Sequence, residues 1–215
     1  MTEATEQKRQ PGATGRGYHH GDLKAALLRE AERILEKDGL QALTLRAASR
    51  AAGVTHTAPK NHFGDLTGLL SELAALGFER LAAALAEIAD TVEGDAKARP
   101  RAMGHAYVGF ARTHPGLFAL MFRSERLDAE RPALRDAIQH AREALREAAF
   151  ARISAGSEPT QMEIAAYSAA LWSLVHGFSV LLLEGRFDGL MRSLPAGEDA
   201  ESLLAQVFAV TTVGK

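Results

Sequence analysis

The residues best suited to chemistry in this chain stand in one short polar run: Thr55, His56, Thr57, Lys60, Asn61 and His62. Hydroxyls, imidazoles, an amide and an ammonium are poor core material. They are good material for hydrogen bonds to the base edges and phosphates of DNA. Such a run must be held out on a rigid element, and the residues before it supply one. Leu45, Ala48 and Ala52 recur at helical spacing, Thr44 stands where an N-cap is wanted, and Gly53 offers the backbone freedom of a sharp turn. The stretch LTLRAASRAAGVTHTAPKNHFGDL, from Leu43 to Leu66, therefore reads as two short helices joined at Gly53, followed by the start of another. That is the pattern of a helix-turn-helix. Pro59 leaves the start of the second helix open. With Thr55 as cap the proline removes one backbone hydrogen bond; with Thr57 as cap it falls at the second helical position and costs little.

A second chemistry needs weighing, because His105, His114, His140 and His176 lie downstream. A di-iron helical bundle requires Glu followed three residues later by His, twice, and no Glu here has a His at that spacing. HExxH, GxSxG and glycine-rich phosphate loops are also absent. No metal, no cofactor and no catalysis are expected.

The elements around the polar run are helical. At 215 residues the chain is long enough for a substantial core, 47% of it is hydrophobic, and Ala and Leu predominate over β-branched residues. There is no cysteine, which excludes disulfides and thiolate metal sites. The first residues carry charge without an apolar centre, so no secretory signal is read there. The most apolar run, near 165–183, is interrupted by Ser, His and Gly, so no bilayer span is expected and the protein is expected in the cytoplasm. Net charge is −2 overall, but residues 1–65 carry 10 Lys and Arg against 8 Asp and Glu. That modest basic excess falls in the part that holds the polar run.

Residues 1–17 read as a polar arm, either a flexible tail or, through Lys8, Arg9 and Arg16, a phosphate or minor-groove contact. A helix follows, with Asp22 near its start, Gly39 past its end, and Leu23, Leu27, Ala31, Ile34 and Leu35 on one face. Asp65 reads as the cap of a long helix carrying Leu66 to Ile88 and stopped at Glu93-Gly94-Asp95. Further helices are expected over 96–114, 132–154, 159–184 and 201–213, with loops over 156–159 and 185–199 and a short apolar piece at 117–122. The 159–184 helix is apolar on more than one face, the mark of a helix buried on several sides or lying in a subunit interface. The fold class is all-α: a three-helix head with a helix-turn-helix over 18–65, plus a larger helical body over 66–215.

Over Tyr18 to Leu70 the chain resembles the TetR family of repressors, through YHHGDL, LTLRAASRAAGV and APKNHF. The body is similar to one subgroup of that family, marked by a Trp, a His and a Gly. Here these are Trp172, His176 and Gly177 in ALWSLVHGFSVLLLEGRF, after AYVGFARTHPGLFALMF. The resemblance implies a homodimeric, ligand-responsive repressor binding double-stranded operator DNA, with no membrane partner. Thr55, His56 and Thr57 would enter the major groove. Lys60 stands where most relatives have a phosphate-contacting tyrosine, and Leu66 where many have a lysine. Thr44 would cap its helix and touch the backbone. Arg46 would meet a phosphate or remain a solvated charge. Asn61 and His62 complete the contact set, with packing as the alternative for His62 and the reading for Phe63. An effector cavity is implied among Tyr107, Phe110, Phe118, Met121, Phe122, Tyr167, Trp172 and His176, each of which also has core filling as its alternative. For His176 that alternative is a hydrogen-bonded core histidine. A small-molecule binder of the same fold with weakened DNA affinity is the second reading, motivated by Lys60 and Leu66.

Overall fold

The structure, a computed structural model, describes residues 20–92, 98–154 and 158–211, and no strand occurs among them. The expected arm at 1–17, together with Tyr18 and His19, lies outside the described residues, as do Glu93, Gly94, Asp95 and Val213.

Helix α1 (His20–Asp38) turns Leu27, Ala31, Ile34 and Leu35 inward, onto Leu43, Ala48 and Phe63. Two short helices complete that cluster, α2 (Leu45–Ala51) and α3 (Ala58–Phe63). Thr44 caps α2, its Oγ1 accepting from Ala47 N at 3.0 Å. The corner after α2 follows from Gly53 at φ 67: Gly53 N donates to Arg50 O and Val54 N to Ser49 O, closing the helix end with a left-handed glycine. The start of α3 is settled as well. Thr57 is the residue before it, and Pro59 sits at the second helical position, where no intrahelical N–H bond is lost. Thr57 makes no capping bond; its hydroxyl lies 3.2 Å from that of Thr55.

Helix α4 (Leu66–Thr91) begins at Asp65, whose Oδ1 accepts from Gly68 N at 2.8 Å. A Cβ on Gly68 would fall 1.9 Å from the Phe63 carbonyl oxygen, so glycine is what lets α4 start against the end of α3. From there α4 is the axis of the molecule. It packs on α5 (Ala98–Thr113), α6 (Pro115–Met121) and, most extensively, α7 (Pro132–Ile153). Single turns of 3-10 helix at Leu40–Ala42 and Ser124–Arg126 bridge α1 to α2 and α6 to α7.

Helix α8 (Gln161–Leu183) lies across α5 and α7 and starts later than Pro159, because Thr160 and Glu163 form a capping box. The stretch expected as a plain loop after it contains one helical turn, α9 (Asp188–Met191). The last described helix is α10 (Ala200–Val210), packed on α5. By length and composition alone α8 is apolar enough to cross a membrane, a test that the core helix of a folded domain also passes. Ile164, Leu171, Val175 and Phe178 bury one side of it, while Met162, Trp172, Leu181 and Leu183 remain exposed.

Candidate DNA-reading face and ligand cavity

Two sites emerge, one on the short helices and one in the body. In the turn and α3, Thr55, His56, Thr57, Lys60 and Asn61 are all exposed, as are Thr44 and Arg46 at the start of α2. His62 is half-buried and tilted against the ring of the buried Phe63, with centroids 6.1 Å apart. Leu66 is half-buried against the core. Among the described residues Arg46, Arg50 and Lys60 enter no ion pair or side-chain hydrogen bond. Sequence reasoning passes over Arg50. Its position one helical turn after Arg46 is the available signal, since the two then share a face of α2.

The cations on the other side of these helices are spent on holding them to the body. Glu72 of α4 accepts from Lys24 of α1 at 2.7 Å and from Arg131 before α7 at 2.8 Å. Arg131 also reaches the Phe63 carbonyl at the end of α3, at 3.4 Å. Burial on its own raises the Glu72 carboxyl, but the hydrogen bonds and charges of Lys24 and Arg131 outweigh it and hold the group below 4.5. Arg80 of α4 grips Glu32 of α1 with both guanidinium nitrogens. Glu36 of α1 accepts from Gly116 N at 2.9 Å and Leu117 N at 2.8 Å, taking up free donors in the first turn of α6.

The body encloses a cavity of about 270 Å³ built from five segments. Phe78, Leu81 and Leu85 come from α4, and Met103, Gly104 and Tyr107 from α5. Met121, Phe122 and Ser124 come from the end of α6 and the 3-10 turn after it. Ile138, Ala141, Arg142 and Leu145 belong to α7, and Leu171, Trp172 and Val175 to α8. Of the residues expected at such a cavity, Tyr107, Met121, Phe122 and Trp172 line it. Phe110, Phe118, Tyr167 and His176 do not. Phe118 is buried edge-on to Tyr107, Phe110 stacks on His114, and Tyr167 is half-buried on α8. His176 stands behind the wall, its Nδ1 3.0 Å from the Tyr107 hydroxyl. Burial holds its imidazole below the ordinary 6.5, so it is neutral at neutral pH. Burial likewise pushes the Tyr107 phenol well above its usual range, with a hydrogen bond to Trp172 acting against the shift.

The wall residues of α4 and α7 are legible in sequence only as core, because one side of a helix looks the same whether it meets a neighbour or a void. Gly104 has a further role. A Cβ there would come within 2.3 Å of the Phe208 ring and 3.2 Å of Val175, so its bareness admits α10 and α8 against α5. By contrast, a Cβ on Gly177 would meet nothing within 4 Å among the described residues beyond its own helix backbone. Among the described residues, no three His, Asp or Glu side chains gather as a metal site needs.

Comparison with known proteins gives this geometry a family. A family model described as "Tetracyclin repressor-like, C-terminal domain" matches residues 101–207, a span that holds Trp172, His176 and Gly177. A solved structure of a protein with unknown function from Rhodococcus sp. RHA1 is 32% identical, covers 91% of this chain and 96% of its own, and superposes with a TM-score of 0.75. PfmR, a TetR family transcriptional regulator from Thermus thermophilus, is 19% identical, with 87% of this chain and 96% of its own covered at a TM-score of 0.59. A bacterial regulatory protein in the tetR family from Rhodococcus RHA1 is 18% identical, with 87% and 94% covered at 0.62. The last two likenesses are of fold. Comparison with curated proteins gave no match. With its all-α architecture, its helix-turn-helix and this family-model match, the chain belongs to the TetR family of transcriptional regulators.

Proposed function

We propose that this protein is a cytoplasmic, homodimeric repressor that leaves its operator when a small molecule fills the cavity of the body. The observation that carries the reading is the pairing of two sites in one chain: an exposed polar helix with unpaired cations, and an apolar cavity joined to it through α4, α6 and α7. Residues 18–65 act as the reading head and 66–215 as the sensing and pairing body. Thr55, His56, Thr57 and Asn61 face the major groove, while Thr44, Arg46 and Lys60 hold phosphates. His62 serves mainly to pack on Phe63. Two heads enter successive grooves of a pseudo-palindrome, about 34 Å apart or somewhat more. The exposed apolar side of α8, with Val210 of α10, is covered by the partner subunit rather than by lipid. The open space at Gly177 leaves room for close approach of that partner's helix.

The coupling runs through packed parts. Met121 and Phe122 line the cavity at the end of α6, and Glu36 of α1 holds the beginning of the same short helix. Arg131 precedes α7, another wall, and touches the end of α3. A ligand that favours one setting of α6 and α7 shifts the population of head separations, and only one of these fits DNA.

The test is binding to the DNA upstream of the protein's own gene, measured across salt concentrations with the stoichiometry of chains per site. A steep salt slope, a sequence preference and two chains per site are expected. A slope no steeper than on unrelated DNA, without preference, would leave the second reading: a small-molecule binder of this fold, favoured by Lys60 and Leu66.

A further inference from the structure

The cavity is selective in its polar groups as well as in its size. Its chamber is walled by side chains such as Phe78, Leu85, Met121 and Val175, and among the described residues no Asp or Glu lines it. The deep hydroxyl, Tyr107, already bonds to His176, and Ser124 and Trp172 are the other neutral polar side chains of the wall. What remains is a single charge, Arg142 of α7. Among the described residues Arg142 makes no hydrogen bond and no ion pair. Its situation differs from that of Arg80, Arg112, Arg123, Arg131, Arg135 and Arg186, each of which lies against a carboxylate. One helical turn either side of Arg142 stand Ile138, Gln139, Leu145 and Arg146, which include no carboxylate and one more cation. Like charges at that spacing repel, and an anion between cavity and solvent relieves them. Arg142 is exposed and at the same time lines the cavity, and its guanidinium is a planar fork matched to a carboxylate.

We propose that the cavity takes a medium-chain organic acid, its hydrocarbon body filling the apolar chamber and its carboxylate meeting Arg142. The proposal rests on reading the cavity as the effector site and names the class of effector. Size sets the chain length: a dry cavity of about 150 Å³ accepts benzene, so one nearly twice as large accommodates a body of roughly ten carbons. A cation of the same length is repelled at the mouth. A neutral alcohol gains the apolar burial but not the ion pair.

Trp172 is the only tryptophan in the chain and lines the cavity, so its fluorescence reports occupancy. The full-length protein is titrated with decanoate, 1-decanol and decyltrimethylammonium, each below its micelle-forming concentration. Decanoate is expected to bind saturably and about fivefold more tightly than decanol, as a partly exposed ion pair allows, with the cation weakest. Arg142→Gln should bring decanoate down to the affinity of decanol. Decanol binding should stay unchanged, which also shows that the variant is folded. Equal binding of acid and alcohol, preference for the cation, or indifference of decanoate to Arg142→Gln would overturn the organic-acid assignment and leave an effector cavity standing. Saturable binding of none of the three would remove both the assignment and the effector reading beneath it.

Discussion

Lys60 carries its charge on the outward side of α3 with no carboxylate to hold it, whereas Lys24 on α1 is tied to Glu72. The contrast gives each lysine a different measurable consequence. Replacing Lys60 with Ala should weaken DNA binding roughly fivefold, about 1 kcal/mol for one exposed charge contact. The slope of log affinity against log salt should become shallower by about 0.9, the share of one phosphate on duplex DNA. An unchanged slope would move the phosphate contact to another residue, with Arg46 or Arg50 the next to try. Replacing His56 or Thr57 should instead alter which sequence is preferred, since their side chains read edges rather than charge.

At the scale of elements, α10 packs on α5 through a close approach at Gly104. Gly104→Ala would drive a methyl into the Phe208 ring and against Val175. Overpacking of this kind costs about 1–3 kcal/mol, which for a chain of this size lowers the melting temperature by roughly 2–12 °C. Calorimetry of the variant checks it, and an unchanged melting temperature would mean that α10 yields without cost. This junction was not legible in sequence, because nothing local to Gly104 announces Phe208. The helix-turn-helix was legible, because Thr44, Gly53 and Asp65 each act within a few residues of themselves. Pro59 sits between the two cases: the sequence allows two starts for α3, and the helix takes the later one, with Pro59 at its second position. The cavity was half legible. Aromatic and Met residues on α5, α6 and α8 mark a cavity wall in the sequence, and Tyr107, Met121, Phe122 and Trp172 do face the void. Phe118 and His176, on the same helices, turn behind it, and only the packing of five segments decides which way each side chain points.

At the scale of the whole molecule, two groups make stability depend on pH in the same direction. His176 is held below 6.5 and Glu72 below 4.5. For each, the unfolded chain binds the proton more readily, so stability is present above the ordinary value and is lost as pH falls through the depressed one. Urea denaturation across pH should therefore show loss beginning below about pH 6.5 through His176 and a further loss below about pH 4.5 through Glu72. His176→Asn should abolish the first loss and keep the second. A profile flat from neutral to acid would contradict both environments. Glu72 joins α1, α4 and the approach to α7, so the second loss loosens the contact between these elements.

The ring of Phe208 occupies the place where α5 has no side chain of its own at Gly104, and Gly104 is part of the cavity wall. The boundary of the chamber is thus shared with a residue that does not itself line it. Such an arrangement lets selectivity drift without touching the wall: trimming Phe208 to Leu would vacate space beside Gly104 and favour bulkier guests, while every lining residue stayed the same. Among relatives of this chain, differences in effector size would then be written in the final helix, far in sequence from the residues that the effector touches.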